Sequence, residues 1–375
     1  MKTATVHRNG VAASAAAGHQ VKLQTSRIKL GLDIHARLYV VAAQEDHAAL
    51  KPPRRLAPGE FVPWVEALLR AGHEVHVVYE ACGFGFGLYR QLVAAGAQCR
   101  VIAPRKLDEA RKGVKTDALD ATTLCQRLSR YLEGNTKELA VIRVPSEAEE
   151  RARQRTRQRE QLVRHRKRIE AQGRGLLVSH GLAAPAHWWK GQTFTRLEKV
   201  LPAWIVPDLE RYRPALLALH AQIVALTLEL EAAAPEDLPQ GFGKLTHEVT
   251  TREVCDWSRF KNRRQVSSYT GLCPGEYSSG GKRVPGSVTK HGNPRLRAAL
   301  VELAWRLVRF QPQYPPVRKR IALLAKGAKA TGAARKKAIV AVARQLAVDL
   351  WRLHTGRCTA EQLGLRSKEE PALES

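Results

Sequence analysis

Four acidic residues in the first third of the chain could hold a divalent metal ion. Asp33 interrupts an apolar strand pattern, Glu80 ends a second one, and Asp117 and Asp120 stand three residues apart. That spacing places two helical side chains on one face, and a carboxylate within an apolar strand is costly unless a cation meets it. Oxygen ligands from separate elements suit Mg²⁺, and two such ions can stabilise both the attacking and the leaving oxygens of a phosphoryl transfer.

Each of these acids, taken singly, also has a structural interpretation. Asp117 and Asp120 would favour a helix N-terminus through the helix dipole, and Glu80 would suit the exposed end of a strand. Asp33 is the hardest of the four to explain in that way, because its neighbours in sequence are apolar.

A glycine-rich stretch from Gly271 to Gly281 is the second candidate site, and we predict it to be a loop. It contains Ser278 and Ser279, and an exposed serine can serve as a covalent nucleophile when its deprotonation is assisted. A Ser-Ser-Gly-Gly string is also typical of a simple turn. Basic residues and a helix N-terminus follow and offer phosphate binding. These basic residues are Lys282, Arg283, Lys290, His291, Arg295 and Arg297.

The net charge predicts a polyanionic partner. Lysine and arginine number 62 against 35 aspartates and glutamates, which gives +27. Such self-repulsion opposes compaction unless an acidic partner shares the surface, and DNA or RNA is the commonest one. An anionic membrane would also suit, but the sequence has neither an apolar run of about 18 residues nor a signal-peptide core. We therefore expect a cytoplasmic, nucleoid-associated protein without a membrane partner.

Hydrophobic periodicity predicts the elements that carry the acids. Alternation predicts a hairpin from Ile28 to Ala42 and a third strand near Leu50 to Leu56. A helix, a strand ending at Glu80, another helix, a strand from Cys99 to Ala103 and a helix from about Thr116 to Leu132 follow. This order is typical of a mixed sheet flanked by helices.

The rest of the chain is predicted to be mainly helical. Ser146 with Glu149 forms a capping-box pattern before a basic helix, for which phosphate contact and a solvated face are the two interpretations. From Leu209 to Leu230, apolar residues follow a heptad spacing, so this helix packs against another one in the same chain or in a second subunit. We expect a self-associating coiled coil. Asn293 and Pro294 predict the start of a further helix.

Five stretches combine these residues into longer motifs. They read GLDIH, VYEA, KTDALDA, SYTGLCPGEYSSGGK and KHGNPRLRAAL. From about Arg27 to Leu365, the chain closely resembles the DEDD transposases of bacterial insertion sequences, the IS-one-ten group and its IS-eleven-eleven branch. One departure is the stretch from Pro239 to Gly243, PQGFG, where many relatives carry a helix-hairpin-helix-like Pro-Gly-Ile-Gly.

The resemblance implies a specific site and mechanism. A ribonuclease-H-like (RuvC-like) α/β domain would bind Mg²⁺ through Asp33, Glu80, Asp117 and Asp120, and Ser279 of a C-terminal transposase domain would form a phosphoserine link to DNA. The resemblance also implies that the protein forms tetramers, which use a noncoding RNA from the flank of the element to choose target and donor DNA. The implied partners are therefore DNA, a guide RNA and further copies of the chain, in a dimer or tetramer.

We accordingly predict five segments. They are a flexible basic tail over 1–26, the DEDD catalytic domain over 27–140, a basic helix with a coiled-coil oligomerisation region over 145–235, a mainly α-helical transposase domain over 236–365 and a tail over 366–375. The predicted nucleic-acid contacts are Arg151, Arg155, Arg159, Arg166, Lys282, Arg283, Lys290, Arg295 and Arg297. The alternative function is a metal-dependent Holliday-junction-type endonuclease that uses water, and a third is a non-catalytic nucleic-acid scaffold.

Overall fold

The computed structural model describes residues 25–104 and 116–367. The chain divides into two compact units between Val144 and Pro145. The predicted tails, over 1–26 and 366–375, lie almost wholly outside the described residues.

The first unit is a five-stranded mixed sheet with helices, as predicted. Its strands are β1 (Arg27–Ile34), β2 (Tyr39–Glu45), β3 (Lys51–Leu56), β4 (Glu74–Glu80) and β5 (Gln98–Ile102), and its helices are α1 (Pro58–Arg70), α2 (Gly87–Ala94) and α3 (Asp117–Leu132). The strand order is β3-β2-β1-β4-β5. Strand β1 lies at the centre, antiparallel to β2 and parallel to β4, so the strand that carries Asp33 has neighbours on both sides.

Alternation along β1 assigns its residues to two layers. Leu30 and Leu32 are fully buried in the apolar cluster that also contains residues of α1. Gly31 faces α3, because a Cβ added there would lie 2.3 Å from the Ala121 carbonyl oxygen and 2.3 Å from the Cys125 nitrogen. The missing side chain of Gly31 therefore lets α3 lie directly on the strand.

The second unit is mainly α-helical. Its elements are α4 (Glu147–Ser179), α5 (Gly191–Glu198), α6 (Val206–Ala232), α7 (Lys244–Val254), α8 (Arg263–Thr270), β6 (Pro274–Ser279), β7 (Lys282–Val288), α9 (Pro294–Phe310), α10 (Pro315–Arg318), α11 (Ile321–Leu324) and α12 (Gly332–His354). The predicted caps are confirmed: Ser146 and Glu149 form a reciprocal capping box, and the Asn293 side chain accepts hydrogen bonds from the first turn of α9. Helices α9 and α12 carry much of the core.

Helices α4 and α6 pack against each other within the chain. The buried residues of α6 are Leu209, Leu216, Ile223 and Leu230, at steps of seven, which is the spacing of one position of a heptad repeat. Among the described helices, α6 alone is long and apolar enough to cross a membrane by length and composition, a property it shares with core helices of globular proteins. The seam thus has a partner in its own chain, and self-association stays a prediction.

The loop predicted from Gly271 to Gly281 is wrong in its second half. Strands β6 and β7 form an antiparallel hairpin in which Ser279 pairs with Lys282. Gly280 and Gly281 form the turn with φ of 56° and 80°. A two-residue turn of this kind needs positive φ at both positions, and Gly-Gly supplies it without strain.

Candidate functional site

The pairing of β1 with β4 brings two of the four predicted acids onto neighbouring strands. Leu32 pairs with Tyr79, so Asp33 and Glu80 follow at matching positions. Asp33 shares the face of Gly31 by the two-residue period of a strand, and Glu80 shares the face of Val78, which packs with residues of α3. Both carboxylates therefore lie on the side of the sheet that α3 covers.

Helix α3 supplies the other two acids on that side. Asp117 and Asp120 lie in its first turn, and the Thr116 side chain caps the helix by accepting a hydrogen bond from the Leu119 N–H. Because the close approach at Gly31 fixes α3 on β1, the first turn lies near the end of the strand. Three segments that are distant in sequence thus contribute acids to one face of the sheet.

Three ligand atoms form the centre of this cluster. One atom each from Asp33, His35 and Asp117 lies within 4.8 Å of the others. His35 Nε2 lies 3.3 Å from Asp33 Oδ2 and 3.5 Å from Asp117 Oδ2. Two carboxylates and an imidazole fit a divalent cation by donor chemistry. Among the described residues, Glu80 and Asp120 are not part of this set of three.

The electrostatics of the cluster favour a cation. Burial raises the pKa of Asp33, His35 opposes that shift, and the negative charges of Asp117 and Asp120 add to it. A carboxylate whose ionised form is disfavoured by burial and by like charges gains most from a bound cation. Carboxylates in such surroundings are enriched at functional sites.

His35 is a site residue that the sequence analysis missed. It occupies the turn between β1 and β2, where its N–H donates to the Leu38 carbonyl oxygen at 3.0 Å. The available signal was its position two residues after Asp33, at the end of the strand. That short separation lets the imidazole reach the same carboxylate.

Ser279 is the last residue of β6, directly before the Gly280–Gly281 turn. Its neighbours Ser278 and Gly280 are exposed. The Ser278 hydroxyl donates to Glu276 Oε1 at 2.7 Å. The predicted roles of the Ser279, Lys282 and Arg283 side chains lie outside what the structure describes.

Two family models match the chain. A DEDD transposase model of the IS110 type matches residues 30–181, and a model described as Transposase IS116/IS110/IS902 family matches residues 239–317. The putative transposase y4rJ of Sinorhizobium fredii is 32% identical over 336 residues, which are 81% of this chain and 80% of that protein. The chain belongs to the IS110 family of transposases. The transposase for insertion sequence element IS1111A of Coxiella burnetii is 28% identical over 75% of this chain and 78% of its own length.

The basic residues of this transposase differ in how accessible they are. Four predicted nucleic-acid contacts are engaged inside the chain: Arg155 with Glu229, Arg159 with the Thr227 hydroxyl, Arg295 with Glu160, and Arg297 with the carbonyl oxygens of Thr270 and Lys290. Arg151 and Lys290 are exposed and Arg166 is half-buried. A phosphate would have to share or replace the partners of the first group, of which Arg155 is itself exposed.

A buried carboxylate, Glu253, pairs with one further arginine of α4, the partly exposed Arg157. Arg157 Nε and Nη2 each donate to a carboxylate oxygen of Glu253 at 2.8 Å, and Asn293 Nδ2 donates to Glu253 Oε2 at 2.7 Å. Burial acts to raise the pKa of Glu253, but these hydrogen bonds and the Arg157 charge lower it overall. The pair joins α4 to α7 and to the start of α9. Residue spacing along the chain does not indicate this pair, because its members lie in three separate segments.

Proposed function

We propose that this transposase cuts and rejoins DNA with a divalent-metal site and a serine nucleophile. The observation that carries the proposal is the cluster of Asp33, His35 and Asp117, with Glu80 and Asp120 on the same face of the sheet. The five-stranded mixed sheet supports a ribonuclease-H-like (RuvC-like) assignment for this unit.

The four acids would hold the cation. Bound there, Mg²⁺ would polarise the scissile phosphate and ease the loss of a proton from the attacking group. Asp33 and Asp117 offer the nearest carboxylate oxygens, and His35 Nε2, 3.3 Å and 3.5 Å from them, would be a further donor. Glu80 and Asp120 would add carboxylate oxygens on the same face of the sheet.

Ser279 would be the nucleophile. As its Oγ bonds to phosphorus, the bond from phosphorus to the leaving DNA oxygen breaks, and that oxygen takes a proton. The phosphoserine conserves the energy of the broken linkage, so a hydroxyl of another strand can displace Ser279 without ATP. The position of Ser279 beside a Gly-Gly turn, between exposed residues, supports this role. We propose that Ser279 and the acidic site contribute to one strand-transfer reaction.

The partners are DNA at the element ends and target, and a noncoding RNA from the element. The charge of +27 supports nucleic-acid binding in a cytoplasmic, nucleoid-associated protein. The working form would be a dimer or tetramer. Exposed apolar residues on α6, namely Leu217, Val224 and Leu228, support a further packing surface on that helix.

A second candidate function is a metal-dependent junction endonuclease with water as nucleophile. The observation that favours it is that the acidic cluster is formed entirely by residues of the first unit. Such an enzyme would need no Ser279 and would leave no covalent adduct.

A denaturing gel separates the two. Three proteins are compared: wild type, Ser279→Ala and the matched control Ser278→Ala. Each is incubated with Mg²⁺, RNA from the flank of its own gene and labelled DNA across the element junction. We expect a slow, protease-sensitive DNA band with wild type and Ser278→Ala, and none with Ser279→Ala. Cut DNA without such a band in all three proteins would establish the water-using nuclease.

A further inference from the structure

Two adjoining cavities lie along α12 in the second unit. One has a volume of about 700 Å³ and the other of about 370 Å³. They share Arg344, Gln345 and Arg352 as lining residues, so they are two parts of one depression. None of these residues belongs to the acidic cluster or to the Ser279 hairpin.

The lining of this depression is strongly cationic. The larger cavity is lined by Lys261, Arg263, Arg264, Arg344, Arg352 and Arg357, and the smaller adds Lys319 and Arg320. We call this set of eight residues the α12 groove. No described carboxylate lines the larger cavity, and Asp349 is the one that lines the smaller.

Asp349 does not neutralise the groove, because its oxygens are used inside the protein. It is only 4% exposed and accepts hydrogen bonds from the Tyr314 hydroxyl at 2.6 Å and from Gln345 Nε2 at 3.0 Å. Within the described ranges, Arg352 is the one member of the groove with a carboxylate at ion-pair distance, 3.6 Å from Asp349. No carboxylate of the described residues lies at ion-pair distance from the other seven cations, so they repel one another and an anionic occupant would relieve that repulsion.

A helix N-terminus and a tryptophan also border the larger cavity. The Asn262 side chain caps α8 by accepting from the Arg264 and Gln265 N–H groups, so the positive end of this helix begins at the lining residues. Trp351 also lines the cavity, and its buried indole N–H has no acceptor among the described residues. Arg357 lies over the Trp351 ring at 4.1 Å.

We propose that the α12 groove binds the phosphodiester backbone of a nucleic-acid strand. Arginine forks match phosphate oxygens, and cations spread over two adjoining cavities suit a polymer with repeated charges better than a single small anion. DNA and RNA share this chemistry, and the experiment below distinguishes them. The inference needs neither the metal site nor the serine mechanism.

Fluorescence anisotropy with the full-length protein tests the proposal. Labelled duplex DNA, single-stranded DNA and single-stranded RNA are titrated at several salt concentrations. The groove variant is Arg263→Gln with Arg344→Gln, and the matched control is Arg196→Gln with Lys199→Gln, two exposed residues of the same unit outside the groove. Both variants lose two positive charges, so any difference between them is local.

We expect the groove variant to bind its ligand at least about tenfold more weakly, whereas the control changes little. The slope of log affinity against log salt should fall by about 1.8 for duplex DNA or about 1.4 for a single strand, as two lost phosphate contacts require. A loss confined to DNA or to RNA identifies the strand that the groove holds. A loss in both establishes a site for either backbone.

Equal affinities of the groove variant and the control, whether both are reduced or both unchanged, would overturn the proposal. A wild-type thermal unfolding transition of the glutamine variant would show that it does not fail through misfolding, and Arg263→Lys with Arg344→Lys, which keeps the charge, should keep the salt slope of the wild type. If the double variant does not fold, Arg263→Gln alone keeps the test decisive, with about half the slope change.

Discussion

Each unit of this transposase has a cluster of charged residues around one carboxylate, and the pKa values of these two carboxylates shift in opposite directions. In the second unit, Glu253 is wholly buried, receives three hydrogen bonds from Arg157 and Asn293, and has a lowered pKa. In the first unit, Asp33 is partly buried among further carboxylates, with His35 beside it, and has a raised pKa. One carboxylate has its counter-charge in the protein, and the other has more negative neighbours than positive ones.

From this difference we infer a structural role for the Glu253 cluster and a cation-binding role for the Asp33 cluster. A buried pair with all its hydrogen bonds made holds helices together, and breaking it leaves an uncompensated charge. A cluster with excess negative charge is strained until a cation arrives, which is a property of a binding site. The predictions below test this distinction from either side.

The largest effect is expected at Asp33. Asp33→Ala should lower DNA cleavage at least about a thousandfold, because it would remove a ligand of the proposed catalytic ion. Affinity for nucleic acid should stay within about twofold, since the acid does not hold phosphates. Cleavage and binding assays in parallel measure both quantities. Asp46→Asn, an acid of the same unit outside the cluster, is the control, and full recombination by Asp33→Ala would refute the metal site.

Glu253→Ala is expected to have the largest effect on stability. It should lower the free energy of unfolding of the second unit by about 2 kcal/mol, because the partly exposed Arg157 and Asn293 both lose their buried hydrogen-bond acceptor. Urea unfolding followed by tryptophan fluorescence suits this measurement, since six of the seven tryptophans lie beyond Pro145. Asp208→Ala breaks the exposed pair with Arg211 and should cost less than about 1 kcal/mol. Similar losses in the two variants would contradict a structural role for Glu253.

Mg²⁺ should stabilise the first unit alone. At a concentration of about 100 times its dissociation constant, the gain is about 2.7 kcal/mol for a single site. Hydrogen exchange of peptides from β1, β4 and α3 measures this stabilisation, and peptides from the second unit are the internal control. Asp33→Asn should remove the gain. Equal protection of both units by Mg²⁺ would indicate a general ionic effect instead of a site.

Gly31→Ala tests how the acids are held. The new methyl group would lie 2.3 Å from backbone atoms of α3, so the helix must move, at a cost of about 1–3 kcal/mol. Asp117 would move with it, and Mg²⁺ should bind more weakly in a calorimetric titration. Gly83→Ala is the control, because a Cβ there meets nothing within 4 Å. Unchanged Mg²⁺ affinity in Gly31→Ala would mean that the packing of α3 does not position the acids.

The smallest effect is a pH dependence. Because the pKa of Glu253 is lowered from 4.5 in the folded state, its contribution to stability is fully present well above pH 4.5 and is lost as pH falls through the folded pKa. The difference in unfolding free energy between wild type and Glu253→Gln should therefore be constant from about pH 6 to pH 8 and shrink below about pH 4.5. Urea midpoints at several pH values measure it, and a difference that grew on acidification would contradict the assigned sign.

The elements of the first unit could be predicted because its strands alternate and its helices have clear ends. The same reasoning failed at the Ser279 hairpin, where the glycines were interpreted as a loop, although Gly-Gly between two short polar strands is itself a hairpin signal. Sequence reasoning also predicts nucleic-acid contact for arginines of α4 without regard to how each one packs. Packing instead engages Arg155, Arg157 and Arg159 with internal partners and leaves Arg151 exposed.

The sequence by itself determined the family, the order of strands and helices in the first unit, two helix caps of the second unit and the acids that could bind metal, because these depend on local pattern and on residue type. The tertiary structure decided what each charge meets. Parallel pairing of β1 with β4 and the close approach of α3 at Gly31 bring acids from distant segments to one face, and His35 joins them. The partner of Glu253 and the cations of the α12 groove likewise come from separate helices, and no spacing along a chain encodes such distances.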